Sequence, residues 1–329
     1  MKAAWFETFG SAQDVLILGE QPTPQPAAGE VLVRLHTTGV NPSDVKKRAG
    51  AFPNLLDGGL VIPHSDGAGV IEAVGSGIDA SRVGERVFVY QAQYGRRLGT
   101  AAEYVALDAA LAPCLPDEAS FEVGACVGIP MMTAHRCVFA DGEVAGQTIL
   151  VTGGAGRVGY YAIQWAAQAG AKVIATASNA DDMALCHAMG ASEVVNHREP
   201  NWGAQVLAVN GGEKIDRVIE VEFGVNLPEI LKCVRIGATI ATYSSTVVPE
   251  PSLPFRDMMF MDLSLRMVLV YAMPEQAKLD AIRDTCDALA AGWLHHRVAH
   301  SLSFNEMARS HELVERGGFG GCVVVRIND

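Results

Sequence analysis

Thr148-Ile-Leu-Val-Thr-Gly-Gly-Ala-Gly-Arg-Val-Gly-Tyr-Tyr-Ala-Ile-Gln-Trp-Ala-Ala-Gln-Ala-Gly170 decides how this chain is read. Thr148–Thr152 is a short apolar run with β-branched residues, the pattern of a buried strand. Gly154-Ala-Gly156-Arg-Val-Gly159 then fits G-x-G-x-x-G. Tyr160–Ala169 reads as a helix closed by Gly170, and Lys172–Ala177 as the next strand. In a chain with 34 glycines the spacing alone says little. Set after a strand and before a helix, it predicts a dinucleotide site. Gly154 permits the tight turn, Gly156 lets backbone approach a pyrophosphate, and Gly159 lets helix and strand pack closely. The helix start offers N–H groups and a positive dipole end to the phosphates.

Strand and helix signals alternate on both sides of this unit. Helices are expected near Asp182–Met189, Trp202–Val209 and Pro228–Val234. Strands are expected at Glu193–Asn196, Ile215–Val221 and Ala238–Tyr243. That rhythm predicts a doubly wound parallel sheet covered on both faces. Residues 1 to about 120 read differently, as short β runs punctuated by Gly, Pro and Asn: Glu30–His36, Gly69–Val74, Glu85–Tyr90 and Ala102–Leu107. They predict an all-β domain with irregular loops. Further on, Glu275–Ala291 is framed by Pro274 and Gly292, and Ser303–Arg316 opens on a capping box with Glu306. The last strand, Cys322–Ile327, has no helix after it and is expected to return to the first domain.

Composition narrows the function. The 329 residues suggest two domains, and 49% hydrophobic content is ample for large cores. A net charge of −12 without a basic block disfavours a nucleic-acid partner. No apolar run reaches the length of a membrane span, and the N-terminus lacks a signal-peptide core. Seven scattered cysteines, an odd number, point to free thiols and a cytoplasmic location.

Several segments occur in a telling order: Gly39-Val-Asn-Pro-Ser-Asp44, Ser65-Asp-Gly-Ala-Gly-Val-Ile71, Gly84-Glu-Arg-Val87, Gly128-Ile-Pro-Met-Met-Thr-Ala134 and Val151–Gly159, then Gly190-Ala191 and His197-Arg-Glu. Together they resemble the quinone oxidoreductase (ζ-crystallin-like) branch of the medium-chain dehydrogenase/reductase superfamily, over nearly the whole chain. The resemblance implies a GroES-like β-barrel domain, here 1–122 with 271–329, and a Rossmann domain, 123–270. It implies an NADPH-dependent reductase of quinones or activated enones, and a homodimer or homotetramer formed through the Rossmann sheets. Two other functions stay open: reduction of the C=C bond of a 2-alkenal or enoyl thioester, and a non-catalytic NADPH-binding protein of crystallin type. Arg96-Arg97 is the one basic pair that could meet a CoA thioester.

Zinc-dependent relatives place a Cys where this chain has Asn41, and Gly-His-Glu where it has His64-Ser-Asp66. Their metal-binding His therefore falls on Ser65. A carboxamide and a hydroxyl are poor zinc donors. The Gln91–Thr100 region also lacks the cysteines of a structural zinc lobe, so no metal is expected. His64 reads as a loop residue near a cleft, and His295-His296 as surface. Quinones and enones need little Lewis-acid help, because conjugation delocalises the incoming charge; positioning can carry much of the rate.

An NAD site carries Asp or Glu near the end of the second strand. Ser178-Asn179 stands there, which leaves room for a 2′-phosphate; NADPH is expected, with NADH the alternative. Asp181-Asp182 reads as the charged start of a helix. The resemblance places Ser178 and His197, with Arg198 near them, at the adenosine ribose. It places Gly154, Ala155, Gly156, Arg157, Val158 and Gly159 at the diphosphate. Thr133, Asn226, Tyr243, Ser244, Ser245, Thr246, Val268, Leu269 and Val270 fall at the nicotinamide half. Asn226 ahead of Pro228 also reads as a helix cap. Asn41, Lys46, Phe52, Met131 and Met132 are candidates for the substrate pocket. Lys46 reads equally as a substrate contact or as part of a solvated Lys46-Lys47-Arg48 helix face, and Phe52, Met131 and Met132 equally as core. No catalytic acid or base is identified.

Overall fold

A computed structural model describes residues 1–327. Its contacts divide the chain into two compact units: Met1–Ile129 with the chain from Ile282 onward, and Pro130–Ala281. Both divisions fall later than the boundaries read at 122/123 and 270/271. One cuts the start of the helix Ile129–Phe139 and the other the long helix Glu275–Ala291. Composition changes at loops, so it does not mark a division inside a helix.

In Pro130–Ala281, strand and helix alternate: β1 (Thr148–Val151), α1 (Arg157–Gln168), β2 (Lys172–Ala177), α2 (Ala180–Ala188), β3 (Glu193–Asn196), α3 (Trp202–Val209), β4 (Ile215–Glu220), α4 (Phe223–Cys233), β5 (Val234–Thr242), α5 (Phe255–Phe260) and β6 (Ser264–Met267). The six strands form one parallel sheet in the order β6-β5-β4-β1-β2-β3. Ile149, Leu150, Ile174, Val218 and Ile240 are fully buried, as strands covered on both faces require. Trp202, Val206, Phe223 and Ile230 close the core from the helices. β1, β2 and β3 run outward in one direction, and the chain then recrosses to place β4 on the other side of β1. The carboxyl ends of β1 and β4 therefore flank the switch point, where open α/β sheets bind ligands.

One helix start is corrected. α4 begins at Phe223, with Glu222 at its cap, and holds Pro228 in its interior. The first turn forms ahead of the proline and loses one i to i−4 hydrogen bond. Asn226 is therefore a helical residue rather than a cap.

In the other unit, the strand Glu30–Val40 organises a mostly antiparallel sheet. It pairs with Asp66–Val74 along most of its length, with Tyr104–Asp108 at Glu30–Arg34, and with Cys322–Arg326 at Thr37–Val40. The tail thus returns to the first domain. The apolar pattern stops at His36, yet the strand continues, because Thr37 and Thr38 are held from both sides. Ser303 ends a strand, Val298–Ser303, rather than opening a helix directly. Its N–H still bonds Glu306 Oε2 at 3.1 Å, and a 3₁₀ turn leads into the helix Met307–Arg316.

The Lys46-Lys47-Arg48 segment lies in the helix Pro42–Arg48, and only Lys46 is exposed. Lys47 is buried and donates to the Gln93 carbonyl at 3.0 Å. Arg48 is fully buried, bonded to the Gly10 carbonyl and the Glu315 carboxylate. A solvated face is thus ruled out for these two. The cause lies far off in sequence, in the residues around Gly10 and the helix Met307–Arg316, which cover the helix.

Candidate active site

The glycine turn sits at the carboxyl end of β1. Gly153, with φ of 60°, is the left-handed residue of the turn. The tight-turn role read for Gly154 therefore belongs to its neighbour. Gly154 is needed for space: a Cβ there would lie 2.8 Å from Cys186 Sγ and 2.9 Å from Ile163 Cδ1. A Cβ on Gly159 would lie 2.4 Å from the Gly153 carbonyl oxygen, so the close helix–strand packing read for it stands. The loop is tied to β2, with the Gly153 N–H to Thr176 Oγ1 at 3.0 Å and the Gly154 N–H to the Thr176 carbonyl at 2.8 Å. Gly156 caps α1 without a side chain, so the helix start presents backbone N–H groups alone.

Across the switch point, Glu220 ends β4 with its side chain fully buried. Glu220 Oε2 accepts the Thr152 hydroxyl at 2.8 Å, and Oε1 accepts Asn226 Nδ2 at 2.8 Å and the Glu222 backbone N–H. The Thr152 hydroxyl also accepts the Val221 N–H at 3.1 Å. Burial pushes the Glu220 carboxyl above its usual range, and these donors pull it back. Glu222, next along, accepts the Thr246 and Val247 N–H groups, both at 2.9 Å, and so fastens the loop after β5 to the start of α4. Tyr243, Ser244 and Ser245 are partly accessible and Thr246 is exposed. Below them the Val268 N–H bonds the Thr242 carbonyl at 2.7 Å; Val268 and Val270 are buried and Leu269 is exposed.

Ala177 pairs with Asn196, which sets Ser178 and His197 side by side at the ends of β2 and β3. His197 Nδ1 is buried and has no hydrogen-bond partner among the described residues. Burial, and then the charge of Arg198, lower its pKa and keep the ring neutral. The Asn179 side chain caps α2 by accepting the Asp182 N–H at 2.9 Å, and Asp181 and Asp182 lie in the first turn of that helix. The nearby acids are thus committed to the helix start.

The first unit places a closed polar cluster at the positions weighed for zinc. The Asn41 side chain donates through Nδ2 to Asp66 Oδ2 at 2.8 Å. The Ile129 N–H reaches the same oxygen at 2.9 Å. The Ser65 hydroxyl serves Asp44, which also accepts the Asn41 N–H at 2.9 Å. His64 is fully buried in the left-handed region, with φ of 76°. Its Nδ1 meets Thr38 Oγ1 at 2.9 Å and its Nε2 meets His311 Nε2 at 2.9 Å. His64 keeps the loop position read for it, but its ring is buried in this hydrogen-bonded cluster. His296 is also recessed, and burial lowers its pKa to about 4; His295 alone is exposed. Burial drives the His64 pKa down to about 3, and drives Asp44 up to about 6 and Asp66 up to about 8. Among the described residues no group of three or more His, Cys, Asp or Glu side chains is placed to hold a metal ion.

Of the pocket candidates, Asn41, Lys46 and Phe52 belong to the first unit, and Met131 and Met132 to the second. Lys46 and Phe52 are exposed. Asn41, Met131 and Met132 are buried, as is Thr133 on the same helix as the methionines.

Comparison with known proteins assigns the chain. Residues 27–117 match the alcohol dehydrogenase GroES-like domain, and residues 158–284 match the family described as zinc-binding dehydrogenase. The quinone oxidoreductase of Homo sapiens is 31% identical over 322 residues, 96% of this chain and 94% of that one. That of Rattus norvegicus is 29% identical over 95% of this chain and 93% of its own. The chain belongs to the quinone oxidoreductase branch of the medium-chain dehydrogenase/reductase superfamily. It is an oxidoreductase with an α/β fold, built from a GroES-like unit and a parallel-sheet unit. A crystal structure titled NAD-dependent alcohol dehydrogenase superimposes with a TM-score of 0.89 at 27% identity, covering 100% of both chains. A mycobacterial structure complexed with NADPH gives 0.87 at 26% identity, covering 99% of this chain and 100% of the other.

The motifs of the oxidoreductase now have physical causes. Gly39 cannot carry a Cβ, because the Ala125 carbonyl oxygen would lie 2.1 Å away. Gly128 cannot, because Asp66 Oδ1 would lie 2.1 Å away. Glu220 and Thr152 escaped notice in the sequence, although one polar residue closing each apolar strand was the available signal.

Two outcomes follow for the oxidoreductase. Gly159→Ala forces the Gly153 carbonyl out of place and is expected to lower stability by about 1–3 kcal/mol. Gly156→Ala, whose nearest contact is 3.1 Å, costs less; thermal unfolding of the pair checks the order, and equal midpoints would refute it. Asp66 holds a proton in the fold that the unfolded chain releases between pH 3.8 and about 8. The stability it contributes is full below the lower value and is lost as pH rises through the upper one. Asp66→Asn should therefore shrink the fall in Tm between pH 6 and pH 9; an unchanged fall counts against the assignment.

Proposed function

We propose that the chain is a cytoplasmic, NADPH-dependent reductase of quinones or related activated enones that works without a metal. The observation that carries the metal-free reading is the commitment of Asn41 and Ser65 to Asp66 and Asp44 at the positions where zinc relatives place ligands. A carboxamide already donating to a buried carboxyl group is a poor zinc ligand. Among the described residues no helix is long and apolar enough to cross a membrane.

A nicotinamide dinucleotide fits the second unit. The backbone at Ala155, Gly156, Arg157 and Val158, between Gly154 and Gly159, would hold the diphosphate. Ser178 and His197 would hold the adenosine ribose, and His197 Nδ1 lacks the partner that a ribose hydroxyl supplies. Arg198 is exposed beside them, and its guanidinium makes no hydrogen bond or ion pair among the described residues. With no acid closing β2, it favours a 2′-phosphate. The bound mycobacterial relative supports NADPH, and the NAD-dependent neighbour keeps NADH as the alternative. Thr133, Asn226, Tyr243–Thr246 and Val268–Val270 would orient the nicotinamide half. When bound, the cofactor supplies hydride at its C4 carbon. The chain's own contribution is to fix that ring and keep the surroundings dry.

Lys46 and Phe52, being exposed, are the proposed substrate contacts; Asn41, Met131 and Met132 are proposed to shape the pocket from within their own units. Reduction of an enoyl-CoA is the weaker reading. Arg96 and Arg97, the pair available for its phosphates, already donate to the carbonyls of Ala106 and Leu60. Self-association into a dimer or tetramer is supported by β6, an edge strand that among the described residues is bonded only to β5, with Met267, Ile236, Phe255 and Phe260 exposed in the same unit.

Two measurements test this. In calorimetry NADPH should bind more tightly than NADH, and Arg198→Ala should cost NADPH roughly tenfold while sparing NADH. Cofactor oxidation should then be fastest with quinones. Faster turnover of 2-alkenals or enoyl-CoA would select the alternative, and tight binding without turnover would select a non-catalytic protein. Light scattering should give a dimer or tetramer, and a monomer at micromolar concentration would refute self-association.

A further inference from the structure

We infer that Glu220 is a positioning residue, whose buried carboxylate turns the Asn226 side chain so that its carbonyl oxygen is offered to a hydroxyl of the bound nucleotide. The inference rests on the cofactor reading above and concerns residues of the second unit only.

Glu220 lies at the carboxyl end of β4, beside the switch point. Three groups converge on its carboxylate: the Thr152 hydroxyl at 2.8 Å, Asn226 Nδ2 at 2.8 Å and the Glu222 backbone N–H. Each of the three points a hydrogen at it. The Thr152 hydroxyl is fixed in that sense, because its oxygen already accepts the Val221 N–H at 3.1 Å and the Ile219 carbonyl, at 3.3 Å, is the poorer acceptor. An ionised carboxylate has acceptors only, so it meets all three, whereas a protonated one would bring a hydrogen against donors. Asn226 can then face Glu220 only through its NH₂. A flipped amide would set carbonyl oxygen against carboxylate oxygen.

What remains on the other side of Asn226 is an acceptor. Among the described residues its Oδ1 receives no hydrogen bond, and it is not sealed from solvent. The first turn of α4 presents it beyond the carboxyl ends of β1 and β4. An uncharged acceptor there suits a neutral donor, and a ribose hydroxyl is the donor a dinucleotide carries along such a crevice. The cost of the arrangement is a buried anion with no cation paired to it among the described residues.

A double-mutant cycle read by calorimetric NADPH affinity tests this, with no turnover required. Glu220→Gln is isosteric but no longer dictates the sense of the amide. It is expected to weaken NADPH binding roughly tenfold, as is Asn226→Ala. The double variant is expected to bind no more weakly than Asn226→Ala alone, because Glu220 acts through Asn226. Full additivity, or a Glu220→Gln variant that binds like the parent, overturns the inference. Circular dichroism confirms the fold of each variant. If Glu220→Gln does not fold, Asn226→Asp replaces it: acceptor against acceptor should cost affinity as the alanine does, and parent-like binding again overturns the inference. A parent protein that binds neither NADPH nor NADH instead refutes the cofactor reading itself.

Discussion

A buried carboxylate holds together the candidate site at the carboxyl ends of the central strands. β1 and β4 pair as far as Val151 and Ile219, and the Thr152 N–H bonds the Ile219 carbonyl at 3.0 Å, but the sheet ladder reaches neither the glycine turn nor α4. Glu220 extends the tie beyond the ladder, through the hydroxyl of Thr152 on one side and the side chain of Asn226 on the other. Its neighbour Glu222 fastens the following loop through two backbone N–H groups. The glycine turn, the first turn of α4 and the loop after β5 are thus held in fixed relation. Backbone-only binding of a diphosphate requires such a frame, since a turn without side chains cannot correct its own position.

The first unit solves a different problem. Two positions that bind metal in zinc relatives carry Asn41 and Ser65, and their neighbours Asp44 and Asp66 are buried carboxyls. Burial favours the neutral acid at Asp66, while Asn41 and Ile129 donate to its one satisfied oxygen. His64 and His311 stay neutral for the same reason, their rings joined at 2.9 Å. The cluster packs as a hydrogen-bonded core and binds the C-terminal helix to the loop before Asp66. Gly39 and Gly128, conspicuous in the motifs, are there because backbone and carboxylate oxygens crowd the place a Cβ would take.

Local pattern carried far along the chain. Lys172–Ala177, Glu193–Asn196 and Trp202–Val209 emerge with the bounds their sequence implies, because each is a periodic apolar run between breakers. Pattern failed where a distant segment supplied the partner. Thr37 and Thr38 look like a strand's end until Cys322–Arg326 pairs with them. Lys47 and Arg48 look solvated until Gln93, Gly10 and Glu315 reach them. Asn226 looks like a cap, since a proline two residues on is a common helix start. In the fold its partner is a carboxylate at the end of the preceding strand.

The sequence by itself determined the order of the elements, the glycine turn, the absence of an acid after the second strand and the side chains that stand where zinc relatives keep ligands. Each of these is a property of residue type and spacing, read over a few residues. Only the tertiary structure decided which glycine takes the left-handed conformation, which charges are buried and which polar groups are left with an open hydrogen-bonding face. Those depend on what packs against a side chain, and the packing partners come from segments tens to hundreds of residues away.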